Sequence, residues 1–116
     1  MHTINERNVE QLELPGRSCR VIVGGSHLKS DHMTFGVTEV PANSRMSPHT
    51  HKSEEEIIFI VQGEGEVVID GETEPLEAGT AIVLPVGSEH YIENKSDKTM
   101  RFSFVFSPPV KIGSYG

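Results

Sequence analysis

Two histidines and a run of three glutamates stand together just before an apolar segment, in the stretch PHTHKSEEEIIFIVQGEG from Pro48 to Gly65. His49 and His51 are two positions apart, so an extended chain directs both side chains to the same face. If the chain turns after them, a glutamate of the run can reach that face as well. Imidazole nitrogens and carboxylate oxygens that converge on one point are ligands for divalent transition metals. The stretch therefore indicates a metal site.

A second set of spaced residues follows downstream of the first. The first set reads H-x-H-x4-E-x6-G and the second G-x5-P-x-G-x2-H-x3-N, with residues 64–78 between them. The positions are His49, His51, Glu56 and Gly63, then Gly79, Pro85, Gly87, His90 and Asn94. Over roughly residues 40–106 the chain thus resembles the cupin superfamily in its small single-domain form, with every position of both motifs filled.

The resemblance implies a fold and a ligand set. The fold is an all-β, double-stranded antiparallel β-helix, a jelly-roll barrel with the metal inside it. The ligands would be His49, His51, Glu56 and His90. Glu56 is also the candidate catalytic residue, since no dedicated general base stands out beyond the ligands. Asn94 is expected to be a turn or packing residue.

Several residues near the motifs leave alternatives open. A shift of one residue in the turn would make Glu55 the ligand in place of Glu56, although the spacing to Gly63 favours Glu56. Arg45 and Ser47 share the parity of His49 and could line the barrel mouth, but a solvent-facing Arg45 fits as well. The remaining histidines fit neither motif and are expected on the surface: His2, His27 and His32.

Short β-rich runs separated by turn residues every 8 to 12 positions or so predict an all-β barrel or sandwich. No window of the chain has a helical period. We predict one domain over 1–116, with N-terminal strands in 9–23, a barrel core at about 33–106 and a C-terminal tail over 107–116. In the last strand, core or dimer packing is expected for Met100, Phe102, Phe104 and Phe106.

Composition excludes several classes of partner. The 116 residues include 10 basic and 17 acidic side chains, for a net charge of −7. Nucleic acid and anionic membranes are therefore not expected partners, because both require a basic patch. Cys19 is the one cysteine, and the polar N-terminus has no apolar signal segment, so we expect a cytoplasmic protein.

Three imidazoles and one carboxylate suit one divalent ion of Mn, Fe, Ni, Co or Zn. Open coordination positions would take a small oxygenated acid or a carbonyl or sugar-type compound in bidentate fashion, for decarboxylase, dioxygenase, isomerase or lyase chemistry. The alternatives are a non-catalytic cupin that binds a small molecule or sugar, and a cupin whose metal is purely structural. A homodimer is also expected, with strands 9–14 and 100–106 at its interface.

Overall fold

Two antiparallel β-sheets form the body of the protein. The computed structural model describes residues 2–112, and these contain one short 3-10 helix, Glu6–Asn8, and eleven strands. Within that range no helix is long and apolar enough to span a membrane. The strands are β1 (Leu12–Leu14), β2 (Arg17–Val23), β3 (Thr34–Val40), β4 (Ser44–Arg45), β5 (His49–Thr50), β6 (Glu55–Gln62), β7 (Glu64–Ile69), β8 (Glu72–Glu77), β9 (Ala81–Leu84), β10 (Glu89–Asn94) and β11 (Met100–Ser107).

The order of the strands is that of a jelly roll. The larger sheet runs β1-β2-β3-β11-β6-β9. The smaller sheet runs β4-β10-β7-β8. The short strand β5 pairs with the beginning of β10, at Glu89 and His90, whereas β4 pairs with its end. Sequence neighbours are thus spread over both sheets, as in a double-stranded antiparallel barrel. The predicted fold class is confirmed.

Alternation of side chains along β6 and β11 builds the interior. In β6, Glu56, Ile58 and Ile60 are buried, while the intervening Ile57 and Phe59 are exposed. This period of two is what an extended strand with one buried face requires. The four predicted inner residues of β11 belong to the core: Met100, Phe102, Phe104 and Phe106.

The turn between β6 and β7 depends on Gly63. Its φ is +91°, a conformation that residues with a Cβ rarely adopt. A Cβ there would also lie 2.9 Å from the Cα of Met100. The motif glycine therefore lets the chain turn tightly against the start of β11 as it passes from β6 in the larger sheet to β7 in the smaller one.

The structure differs from the sequence prediction mainly at short elements. The predicted strand from Val9 begins only at Leu12, and residues 6–8 form a short 3-10 helix. The two-residue strands β4 and β5 were not predicted, because each is defined only by its pairing with β10. Residues 113–116 of the predicted tail, with Met1, lie outside the described residues.

Candidate metal centre

Three separate segments bring the four predicted ligands together. In the pairing of β5 with β10, His49 lies directly opposite His90. His51 follows β5, and its carbonyl accepts a hydrogen bond of 2.9 Å from the amide of Gly87, in the turn before β10. Glu56 occupies an inward position of β6. The pairing of strands therefore joins residues that are more than 30 positions apart in the sequence.

The four side chains converge on one point inside the barrel. One ligand atom from each residue of His49, His51, Glu56 and His90 lies within 4.8 Å of the others. The Nε2 atoms of His51 and His90 are 3.3 Å and 3.4 Å from Glu56 Oε1. All four residues are at most 8% exposed. The edge of Phe106 packs on the His51 ring, with centroids 4.6 Å apart, and gives the cluster an apolar side.

Backbone carbonyls orient two of the imidazoles in the same way, each through the residue two positions earlier in the chain. The Nδ1 atom of His49 is 3.0 Å from the carbonyl oxygen of Ser47, and that of His90 is 3.2 Å from the carbonyl oxygen of Ser88. A carbonyl only accepts, so Nδ1 carries a proton in each ring, and in the neutral ring Nε2 carries the lone pair. Such outer contacts fix the tautomer and ring orientation of metal-binding histidines.

The charge states also suit metal ligation. Burial lowers the pKa of His49 from 6.5 to about 4, although the hydrogen bond to the carbonyl oxygen of Ser47 acts in the opposite direction, so the ring is neutral near pH 7. Burial alone would raise the pKa of Glu56, but the imidazoles of His51 and His90 outweigh it and leave that pKa below 4.5. Neutral imidazoles and an ionised carboxylate are the forms that bind a cation.

The donor atoms present fit a divalent metal ion. Among residues 2–112, neither Glu56 Oε1 nor His90 Nε2 has a hydrogen-bond partner, and both atoms are fully buried. Leaving such groups unsatisfied costs about 1–3 kcal/mol each, and more for a charged group. A cation between the carboxylate and the imidazoles would satisfy them, so the cluster could hold a metal.

The structure also decides the alternatives that the sequence left open. Glu56 is buried while Glu55 is exposed, so Glu56 is the carboxylate of the cluster. Arg45 is exposed on the outside, with its guanidinium 5.1 Å from the ring centroid of Tyr91, so it does not line the interior. The other histidines lie away from the cluster: His2 and His32 are exposed, and His27 contacts Glu10 at 2.8 Å.

Sequence reasoning missed Arg17, which is buried beside the cluster. It lines the same small cavity as His49 and Glu56, although it belongs to the N-terminal hairpin. A signal was present in the sequence, because Arg17 shares the parity of Cys19 at the start of an apolar strand. The strand that carries both residues begins at Arg17, within the range 9–23 in which the sequence predicts N-terminal strands.

Comparison with known proteins gives one family and several related enzymes. The chain is 38% identical over 85 residues to an L-ectoine synthase of Aliivibrio fischeri (strain MJ11). The match covers 72% of this chain and 66% of that relative, slightly less than two thirds of its length.

Two solved structures share the fold over most of this chain. The ectoine synthase from P. lautus matches with a TM-score of 0.79 at 22% identity, over 96% of this chain and 80% of that one. The polyketide cyclase RemF from Streptomyces resistomycificus matches with a TM-score of 0.77 at 26% identity, over 92% and 79%. Residues 36–106, more than half of the chain, match the sequence model described as the Cupin domain. With both motifs filled and the jelly-roll fold in place, this chain is a small member of the cupin family.

Proposed function

We propose that the protein is a metal-dependent enzyme that acts on a small oxygenated organic acid or carbonyl compound. The observation that carries the proposal is the burial of four convergent donors, two of whose atoms have no hydrogen-bond partner in the described chain. The proposed ligands are His49, His51, Glu56 and His90. Mn, Fe, Ni, Co and Zn all suit this donor set, and availability selects among them.

The protein side chains in this proposal hold and orient the reactants. Ser47 and Ser88 fix two imidazoles through their carbonyl oxygens, and Glu56 supplies one negative charge. A divalent ion with one carboxylate ligand keeps a formal charge of about +1, which attracts an anionic oxygen donor. When bound, the metal supplies Lewis-acid polarisation of a carbonyl group and acidification of a coordinated water. Glu56 is the nearest candidate to hold a transferred proton.

The names of the relatives favour catalysis over storage or sensing. One relative is named as a synthase of L-ectoine and a structural neighbour as a polyketide cyclase. Both names denote enzymes with small-molecule products. We therefore place lyase or cyclisation chemistry ahead of decarboxylase, dioxygenase and isomerase chemistry for this chain.

The test compares ligand variants with a neighbouring glutamate. His51→Ala and His90→Ala remove one donor each, whereas Glu55→Gln alters an exposed carboxylate next to Glu56. Metal-loaded proteins are incubated with a panel of hydroxy acids, 2-oxo acids and diketones, and products are followed by NMR. We expect turnover of at least one compound by wild type and Glu55→Gln, and none by the two histidine variants.

Each other outcome selects a different function. Turnover that persists in metal-free His90→Ala contradicts a metal-dependent enzyme. Ligand binding by calorimetry without any product over hours identifies the non-catalytic binding cupin instead. Metal-dependent melting without ligand binding identifies a structural metal.

We also propose a homodimer, but through a different surface from the one the sequence suggested. The four inward-facing apolar side chains of β11 are buried in the core, so they are not available to a partner: Met100, Phe102, Phe104 and Phe106. The outer face of β6 and β9 instead exposes Ile57, Phe59, Val61 and Val83. Apolar patches of this kind are typical of subunit interfaces. Light scattering at micromolar concentration should give a dimer for wild type and a monomer for Phe59→Lys, and a wild-type monomer contradicts the proposal.

The compartment that we propose is the cytoplasm. Cys19, the one cysteine of the chain, is a buried thiol whose pKa is raised by burial. A buried thiol is compatible with a reducing compartment, where disulfides are rare. Fractionation of the source cells should recover the protein with cytoplasmic markers, and recovery with secreted proteins contradicts it.

A further inference from the structure

An apolar groove lies on the surface where the N-terminal hairpin meets the segment that follows β11. Its volume is about 590 Å³. Leu12 of β1, Val21 of β2, and Val110 and Ile112 of the C-terminal segment form its apolar walls. All four are partly buried and pack against the core. Sites for small organic molecules are mostly apolar and of this size, so the groove is large enough for such a ligand.

A second and much smaller cavity lies beside the four donors. Its volume is about 30 Å³, room for about one water molecule. His49 and Glu56 of the cluster line it, together with Cys19 of β2. Ile112 lines it as well, and in the described chain this is the one residue that the cavity shares with the groove. The side chain of Ile112 therefore separates the groove from the donors.

A single hydroxyl group fastens the backbone of the segment that carries Ile112. The segment pairs with no strand in the part of the chain that the structure describes. Thr34 of β3 is fully buried, and its hydroxyl donates to the carbonyl oxygen of Val110 at 3.1 Å and accepts from its amide at 3.0 Å. The cavity is also closed by Leu14 of β1, a strand that is paired with β2 at all three of its residues. Moving the C-terminal segment breaks no strand pairing, so it is the easier of the two to displace.

We propose that residues 109–112 are a movable gate between the groove and the donors. A ligand of the donors enters through the groove and keeps its apolar part there. The cavity is too small for an organic acid, so one of its walls must move before such a ligand reaches Glu56. Glu10 and Lys111 line the groove with opposite charges, and its other large side chains are apolar, so it favours an apolar body over a second charged group. Only the ligand rests on the proposed function, because binding at the donors requires the metal.

The single cysteine reports opening of the gate without metal or substrate. Cys19 is 4% exposed and lines the inner cavity. Its alkylation by iodoacetamide is followed by mass spectrometry in chelator-treated wild type, Ile112→Ala, Thr34→Val and Ile69→Ala. Ile69 is the matched control, because it is also a partly buried isoleucine packed on the core but lies on β7 and lines neither the groove nor the cavity. Urea denaturation of each variant identifies reaction through global unfolding, which follows stability.

We expect Ile112→Ala and Thr34→Val to react about tenfold or more faster than wild type, and Ile69→Ala to react at a rate that its stability accounts for. A wild-type rate in Ile112→Ala or in Thr34→Val overturns the gate. So does a set of rates that simply follows stability in all three variants. If Ile112→Ala does not fold, Thr34→Val against Ile69→Ala decides the question.

Chain length tests whether the groove holds the apolar part of a ligand. The probes are 2-oxobutanoate and 2-oxooctanoate, which share a chelating end and differ only in the length of the alkyl chain. Calorimetry measures both on metal-loaded wild type, Val21→Thr and Val83→Thr, with metal content determined for each. Val21 lines the groove, whereas Val83 is exposed on β9 and lines neither the groove nor the cavity.

Wild type and Val83→Thr should bind the longer acid about tenfold or more tighter, because its additional methylene groups are removed from water. Val21→Thr should reduce this preference several-fold. Equal affinities in wild type, or an unchanged preference in Val21→Thr, overturn the ligand part of the inference alone. A wild type that takes up no metal overturns that part together with the proposed function, whereas the alkylation rates of the metal-free protein still decide the gate.

Discussion

Strand β10 carries two buried polar side chains four residues apart, and they are satisfied in different ways. His90 and Asn94 are 2% and 0% exposed, and both point into the barrel. The Nδ1 atom of His90 bonds the carbonyl of Ser88, but its Nε2 has no hydrogen-bond partner within residues 2–112 and faces Glu56. At the other end of the strand, both polar atoms of the Asn94 side chain form hydrogen bonds within the protein.

Asn94 holds the turn that follows β10 to the strand before β4. Its Nδ2 donates to three carbonyl oxygens, at 3.0 Å to Val40, 3.1 Å to Pro41 and 2.7 Å to Lys98. Its Oδ1 accepts from both the amide and the hydroxyl of Ser96, at 3.0 Å and 2.7 Å. The protein itself thus supplies all the partners of this residue.

The difference separates a polar residue whose partners all belong to the chain from one that has an unpartnered nitrogen atom in the described residues. Buried polar groups in folded proteins are nearly always hydrogen-bonded. A residue such as Asn94 therefore contributes to stability, whereas the Nε2 atom of His90 could bind a metal ion, as the proposed function requires. Substitution of Asn94 should lower stability and leave metal binding unchanged, whereas substitution of His90 should mainly remove metal binding.

The largest effect on stability is expected from Asn94→Ala. Removing the amide leaves the carbonyl oxygens of Val40, Pro41 and Lys98 and the Ser96 amide without this partner, which we expect to cost about 3 kcal/mol of unfolding free energy. Urea denaturation measures this loss of unfolding free energy. Ser96→Ala, which removes only the hydroxyl partner of Asn94, should cost less, about 1 kcal/mol. Metal content should stay unchanged. An Asn94→Ala protein that keeps wild-type stability but loses its metal would contradict the structural role given to Asn94.

The metal-free protein should lose stability in acid because of His49. Its pKa is lowered from 6.5 to about 4, so below pH 6.5 the unfolded chain takes up a proton that the folded chain does not. Stability is therefore present above pH 6.5 and falls by about 3 kcal/mol as the pH approaches 4. The lowered pKa of Glu56 acts in the same direction below pH 4.5.

Urea midpoints of chelator-treated protein between pH 7.5 and 4 measure this dependence. His49→Gln should flatten it, whereas His32→Gln, at an exposed position, should not. An equally steep dependence in His49→Gln would assign the acid sensitivity to other groups.

Metal binding should stabilise the wild type by mass action. At a free metal concentration of about 100 times Kd, the folded state gains about 2.7 kcal/mol. For a domain of this size, that corresponds to a rise in Tm of roughly 10 °C or more. Thermal melts with and without added Mn or Zn measure it. His90→Ala should melt at the same temperature in both conditions, and a full metal response in that variant would remove His90 from the ligand set.

The smallest effect is expected from Glu55→Gln. This side chain is exposed on the outer face of β6, so its stability and metal response should match wild type within about 0.5 kcal/mol. A loss of metal comparable to that of His90→Ala would show that the carboxylate assignment is off by one residue.

The sequence predicted the barrel and the four-residue cluster because both depend on local patterns. Period-two alternation identifies the inner face of β6, and two spaced motifs mark the positions that β5, β6 and β10 bring together. Arg17 was not predicted, because only the folded chain brings the N-terminal hairpin over the cavity. The sequence placed residues 9–14 and 100–106 at a dimer interface and left core and dimer packing open for the apolar face of β11, which the structure buries in the core.

Metal content of protein purified without a His tag or a nickel column tests whether the cluster is a metal centre. Elemental analysis of wild type, His90→Ala and Asn94→Ala should be made on folded protein at matched concentrations. We predict about one transition-metal ion per chain in wild type and Asn94→Ala, and almost none in His90→Ala. A wild type that contains no Mn, Fe, Co, Ni or Zn, and takes up none on dialysis against each, would contradict the account.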